Sequence, residues 1–290
     1  MSWKRLKSFA LVIILALDII LGAAVVSQYK KEYYYSDEVK RLTAEAMSAG
    51  GITFDEALLS EKKTSLSVLM HDCSAEDVFS VLDYVYGDAV TAEGSVFSVS
   101  DGNGTAIVRV DGTFDYSGEL HVSSLIGSDV VRYESESARY KDIISRFLSV
   151  SAVNSASANK GAPEMTLVLV CDPTIENGRI AVTVAQFFDG IRTSGELTVY
   201  FRGDDIVSAH GTYSFALPTK KLTVNFADMI NILFEEKRAA ESSGTEGEKK
   251  KIVSVGYFYE IYHDTGADYY VPFCSVTYDD GTVHTMDLVN

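Results

Sequence analysis

Proline and cysteine are scarce in this chain, 4 and 3 among 290 residues, and tryptophan occurs once. Three cysteines cannot all pair internally, which excludes a disulfide-stapled miniprotein. Positive charge is also short: Lys+Arg 25 against Asp+Glu 41 leaves a net charge of −16. Phosphate backbones are gripped by clustered Lys and Arg, so nucleic acid is excluded as a partner. The five histidines, His71, His121, His210, His263 and His284, show no HxxxH or CxxH spacing and so offer no common zinc arrangement. Cys73, Cys171 and Cys274 lie far apart and read as buried free thiols, with one extracellular disulfide as the alternative. There is no Gly-x-Ser-x-Gly elbow and no phosphate loop. Ser60 with Lys63 and Ser157 with Lys160 match Ser-x-x-Lys without the companion motifs of penicillin-recognising enzymes. Asp204-Asp205 and Asp279-Asp280 fall at turns, where Asp is common anyway. The sequence predicts no enzyme, no metal site and no cofactor.

What is present begins with a core. Hydrophobic residues make up 47% of the chain, enough for a folded domain. The charge is unevenly placed. Residues 1–29 hold Lys4, Arg5 and Lys7 against Asp18, a balance of +2, so the remainder carries −18. Residues 8–27 contain that one charge, and at about 1.5 Å per residue they reach roughly 30 Å, one bilayer core. Only a helix or a closed barrel satisfies backbone polar groups in lipid, so the segment predicts a transmembrane helix. Trp3 before it and Tyr29, Tyr33, Tyr34 and Tyr35 after it suit the interfaces. The basic start outweighs Lys30 and Lys31, placing the N-terminus in the cytoplasm and the rest outside the cell membrane. A signal peptide cleaved near Gly22-Ala23-Ala24 is the competing reading, and it exports the same domain. Asp18 is costly facing lipid. Either it is protonated or reaches nearby polar atoms, or it faces a partner helix on a stripe with Ile14, Leu15, Gly22 and Val25, Gly22 allowing close approach.

Beyond the anchor, residues 36–49 predict a helix capped by Ser36, with Val39, Leu42 and Ala46 on one side and Gly50-Gly51 ending it. Residues 64–70 alternate as a strand, and Ser74 to Asp77 opens a helix carrying Val78, Leu82 and Val85. Two strands flank Asp101-Gly102-Asn103-Gly104, a hairpin signal that also contains the glycosylation sequon at Asn103, and a third follows Asp111-Gly112. A helix over 134–149 presents Tyr140, Ile143, Ile144 and Phe147 inward. Residues 151–163, rich in Ser, Ala and Asn, read as a linker. Strands then follow over 166–170, 180–187, 195–201 and 206–215, and a helix over 226–239 with Met229, Ile230, Leu233 and Phe234 inward. A polar loop covers 241–251, and the C-terminal region is a strand pair or triplet.

Asp111-Gly112 leads to Ser117-Gly118-Glu119-Leu120, as Asp189-Gly190 leads to Ser194-Gly195-Glu196-Leu197, which reads as a weak internal repeat of strand–strand–strand–helix. The expected layout is an anchor at 1–30, an exported unit at 31–150, a linker at 151–163 and a second exported unit at 164–290. The fold class is α+β with mainly antiparallel sheet, because hairpin-length connections dominate.

The basic start Met1-Ser2-Trp3-Lys4-Arg5-Leu6-Lys7, the Tyr-rich exit into Ser36-Asp37-Glu38, and Val271-Pro272-Phe273-Cys274-Ser275-Val276 before Asp280-Gly281 together resemble the YycH/YycI regulatory proteins of Gram-positive bacteria, the shorter YycI type above all. Phe273-Cys274 and Asp18 depart from that family, which places a Trp and an amide there. The resemblance implies a non-enzymatic regulator of a membrane sensor histidine kinase controlling cell-wall metabolism, in a two-component system. It also implies anchor contacts with the kinase's transmembrane helices and association with a second YycH-like regulator, beside membrane lipid. The alternative is an anchored binding module for a wall-derived peptide or glycan, with Tyr257, Tyr259, Tyr269 and Tyr270 as its groove; the plain role of such strand tyrosines is sheet packing.

Overall fold

The computed structural model describes residues 21, 26–28, 34–59, 66–71, 74–100, 102–127, 132–158, 162–222, 228–242, 250–264 and 267–288. Among these no helix is long and apolar enough to cross a membrane. The expected span lies outside them, except for Leu21 and residues 26–27, which are helical and exposed. Ile14, Leu15, Asp18, Gly22 and Val25 also lie outside the described residues. The architecture is α+β with a mainly antiparallel sheet. Two compact units are assembled from interleaved segments: 1–65, 226–256 and 275–285 make the first, and 66–225, 257–274 and 286–290 the second. The layout expected from sequence runs in chain order, whereas these units trade segments repeatedly.

In the first unit, helix α1 (Asp37–Ala49) starts where Ser36 accepts a hydrogen bond from the Val39 amide at 3.3 Å, with Asp37 and Glu38 beside the positive end of the dipole. Its buried face is not the apolar stripe of Val39, Leu42 and Ala46. Thr43 and Met47 are buried, while Val39 and Leu42 are 37% and 49% exposed. Thr43 can turn inward because its hydroxyl donates to the Val39 carbonyl at 2.8 Å, which satisfies its polarity within the helix. Strand β1 (Ile52–Phe54) pairs in parallel with the start of β13 (Lys250–Asp264), matching Ile52 to Lys250. Helix α6 (Met229–Ser242) begins at Asp228, whose carboxylate accepts from the Asn231 amide at 3.0 Å, and it buries Ile232, Leu233 and Glu236. Of the expected inner residues only Leu233 is fully buried; Met229, Ile230 and Phe234 are half-buried. Strand β14 (Ala267–Tyr278) turns through Asp279-Asp280-Gly281 into β15 (Val283–Asp287), and the Thr282 amide donates to Asp280 at 2.8 Å. That bond holds the Asp280 carboxyl below its ordinary range.

The second unit carries two helix-then-meander runs. Helix α2 (Ala75–Tyr86) is capped by Ser74, which accepts from the Asp77 amide at 3.0 Å and donates to the Asp77 carboxylate at 2.7 Å. It leads into β3 (Val90–Glu93), β4 (Val96–Ser100), β5 (Gly104–Arg109) and β6 (Thr113–His121), paired antiparallel in succession. A short helix α3 (Val122–Ile126) and α4 (Glu136–Phe147) follow, then α5 (Val150–Ala158), which occupies most of the segment expected as a linker. Its helix is fixed from outside: Val153 is fully buried, and the Asn154 amide group bonds both the carbonyl and the N–H of Met165, at 2.8 and 2.9 Å. Strands β7 (Met165–Leu169), β8 (Thr174–Glu176), β9 (Arg179–Phe188), β10 (Ile191–Arg202) and β11 (Asp205–Thr212) complete the second run.

β11 lies against β6, so the strands read β7-β9-β10-β11-β6-β5-β4-β3 across the sheet. The repeated tetrapeptides fall in β6 and β10, the two strands flanking β11. On the far side of Arg192 and Thr193, β10 pairs in parallel with Phe258 and Tyr259 of β13; beyond it, β14, β2 (Val68–His71) and β12 (Lys220–Leu222) extend the order. The core of this unit is aromatic, with Phe97, Phe114, Tyr116, Phe188, Phe201, Tyr213 and Phe215 buried among aliphatic strand residues.

Candidate functional site

The period-two pattern of β4, β5 and β6 turns Val99, Ala106, Val108, Phe114, Tyr116 and Leu120 to one face, and α4 lays Phe147 over it. The fit is incomplete. A cavity of about 370 Å³ remains between them, walled by these side chains with Tyr86, Leu125 and Phe215. At its edge Gly104 of β5 sits directly opposite Gly118 of β6, where the two backbones approach closely. A Cβ on Gly118 would come within 2.5 Å of the Gly104 Cα and of the Asn103 carbonyl oxygen. The hairpin is therefore bare of side chains at that level, and the Tyr116 hydroxyl reaches over the gap. Tyr116 meets Phe147 edge-on at 5.0 Å between ring centroids, and Phe114 meets Phe147 at 6.1 Å.

One lining side chain is charged. Arg146 of α4 bonds Asp142 through Nε at 3.0 Å and the Leu125 carbonyl through a terminal nitrogen at 3.4 Å, which fixes its guanidinium. Asp142 also accepts from the Tyr133 hydroxyl at 2.8 Å. Burial first, then that bond, raises the Tyr133 phenol pKa. Arg146 and Ser149 line the cavity and also a wide polar groove, about 1280 Å³, that includes Ser145, Ser151, Asn154 and Glu164. The guanidinium thus stands where an apolar interior gives way to polar surface.

The first unit holds a second polar constellation. Glu236 of α6 is 2% exposed. Its Oε2 accepts from the Tyr278 hydroxyl at 2.5 Å and faces His284 Nδ1 at 3.0 Å. Burial, then the Glu236 carboxylate, pushes the Tyr278 phenol well above its ordinary pKa. Lys250 lies 5.6 Å from the Tyr278 ring centroid. At the start of the same helix, Tyr35 is pushed up to about 12 by burial and then by Asp228. These contacts tie α6 to the strands and to the chain preceding α1; they satisfy a buried carboxylate.

Of the tyrosines expected to form a groove, Tyr259 and Tyr270 are buried in the core and Tyr257 and Tyr269 are half-buried. Tyr270 meets Phe188 edge-on at 5.1 Å, so sheet packing is its role. The cavity and the polar groove are lined by other residues. Cys274 is buried, whereas Cys171 is exposed and free; Cys73 lies outside the described residues. Among the described residues no group of three or more His, Cys, Asp or Glu could hold a metal. Asp204 and Asp205 turn between β10 and β11, where Asp204 bonds Arg139 at 2.7 Å and Asp205 bonds His121. Sequence reasoning missed Arg146 and the facing glycines, and the one signal available was Gly118 inside a strand, where glycine marks close backbone approach.

No family model matches the sequence, and no curated protein matches it. Among solved structures the chain is similar to an uncharacterized protein from Eubacterium rectale, 12% identical, covering 77% of this chain and 81% of that one at a TM-score of 0.35. A likeness at that level carries no argument about fold or function.

Proposed function

We propose that the chain is a single-pass, membrane-anchored regulator of a sensor histidine kinase controlling cell-wall metabolism, exported beyond its anchor and acting by contact. In this reading residues 8–27 form the transmembrane helix, Asp18 and Gly22 face the kinase helices, and the exported part associates with a second YycH-like regulator. The observation that carries the reading is the inverted face of α1. The first helix beyond the anchor buries Thr43 and Met47 and leaves Val39 and Leu42, one turn apart, exposed. Apolar side chains left open on a helix that follows an anchor in sequence suit contact with another helix. The strand order, mirrored about β6 and β11 with a helix before each meander, supports the reading of two related halves.

The test is affinity capture of the membrane-embedded protein with and without residues 1–30. Recovery of a histidine kinase only with the anchor is the expected result, and equal recovery without it refutes the reading. A binding module is the second reading, favoured by the cavity in the second unit. Tyr259 and Tyr270 are buried, so in that reading the cavity rather than the strand tyrosines is the site.

A further inference from the structure

We infer that the cavity behind the β4–β6 face is a binding site for a free monoanionic amphiphile of the fatty-acid class, its tail in the cavity and its carboxylate at Arg146. The cavity belongs to the second unit alone, whether or not a kinase is the partner. Protein cores rarely leave voids larger than a water molecule, yet this one is about 370 Å³, within the range of ligand pockets. That is about a dozen water volumes, room for one medium-length chain. At the edge of this space Gly104 faces Gly118, and the Tyr116 hydroxyl stands about 2.5 Å from where either Cβ would go.

The walls set the ligand's chemistry. Phe114, Tyr116, Phe147 and Phe215 present ring faces and edges to the interior, which suits a hydrocarbon, while the polar lining residues are Asn103, Ser124, Arg146 and Ser149. Arg146 is the one charged lining residue; its ion-pair partner Asp142, 3.0 Å from Nε, lies outside the cavity lining. Its guanidinium is held by Asp142 and the Leu125 carbonyl at the border with the polar groove. A fixed cation at the mouth of an apolar cavity selects a tail that ends in an anion.

The test uses the full chain in lipid nanodiscs with dodecanoic acid carrying a diazirine near its tail end. Light-induced adducts are expected on peptides containing Tyr116, Leu125 or Phe147. Excess unlabelled dodecanoic acid should displace them, and dodecanol should compete about tenfold less well. Arg146→Gln should abolish that preference for acid over alcohol, and Ala106→Phe, which fills the cavity, should cut labelling about tenfold. Adducts scattered over exposed apolar residues such as Ile175 and Val283, or equal competition by acid and alcohol, overturn the inference. A diazirine-tailed phosphatidylglycerol that yields the same adducts overturns the free-acid source in favour of a lipid. Should Ala106→Phe lose its cooperative melt, competition on the unaltered chain and the Arg146→Gln comparison still decide.

Discussion

Replacing Tyr278 by Phe removes one hydroxyl from the interior of the first unit and leaves its ring. That hydroxyl donates to Glu236, whose side chain is 2% exposed and has His284 at 3.0 Å as its other named partner. A hydrogen bond to a charged acceptor is worth about 1.5–3 kcal/mol, and a buried carboxylate deprived of one donor loses toward the upper end. For a chain of this size, about 2 kcal/mol corresponds to a fall of about 4–8 °C in Tm. Calorimetry on the intact chain and on Tyr278→Phe, Glu236→Gln and the double variant would read both the shift and the coupling. The coupling should be about 1 kcal/mol or more, since the two groups touch.

The same hydroxyl gives a pH signature. Its folded pKa is raised, so the folded chain holds this proton more tightly than the unfolded chain does. The stability it contributes is full below about 10, the ordinary phenol value, and is lost as pH climbs from there toward the folded value. Tyr278→Phe should therefore be less sensitive to alkali than the parent chain, although less stable at neutral pH. A Tyr278→Phe melt within about 1 °C of the parent, with an unchanged alkaline slope, would refute the assignment of Glu236 as a carboxylate dependent on that donor.

Gly118→Ala forces a Cβ to within 2.5 Å of the Gly104 Cα and the Asn103 carbonyl oxygen, and should cost about 1–3 kcal/mol in a denaturant titration. Ser36→Ala deletes the cap that accepts the Val39 amide, and should destabilise the first unit by about 1 kcal/mol, read as faster amide exchange across α1. Asp18→Leu should weaken membrane cross-linking to the partner helices while circular dichroism of the chain is unchanged; undiminished cross-linking would remove Asp18 from the contact.

What the sequence exposes here is mostly local. Ser36 and Ser74 announce their helices because a cap is a three-residue event, and Asp111-Gly112 and Asp280-Gly281 announce hairpins for the same reason. Faces were harder to read. The stripe Val39, Leu42 and Ala46 satisfies the helical period, yet α1 buries Thr43 and Met47, because the packing partner, α6, comes from residues 229–242. Strand β3 escaped notice because three of its four residues are exposed and leave no alternation. Helix α5 has a weakly apolar, Ser-rich sequence, so its helicity depends on Asn154 meeting Met165 across the turn into β7. The facing of Gly104 and Gly118 at the cavity's edge is a fact of register that no single strand contains. Arg146, on the polar side of its own helix pattern, gives no hint of the aromatic space it borders.

The interleaving of the two units has a bearing on the order of assembly. A chain emerging from its N-terminus presents residues 66–225 long before 257–274, and 1–65 before either 226–256 or 275–285. Neither unit is complete until the C-terminal strands have appeared, since β13 and β14 each give one part to the first unit and another to the second. Closing such distant pairings is slow, and the waiting edges of β2 and β10 are open templates meanwhile. The β13–β14 hairpin is thus a latch that finishes both units together, and a chain stalled before residue 257 would be held as two incomplete partners with exposed strand edges.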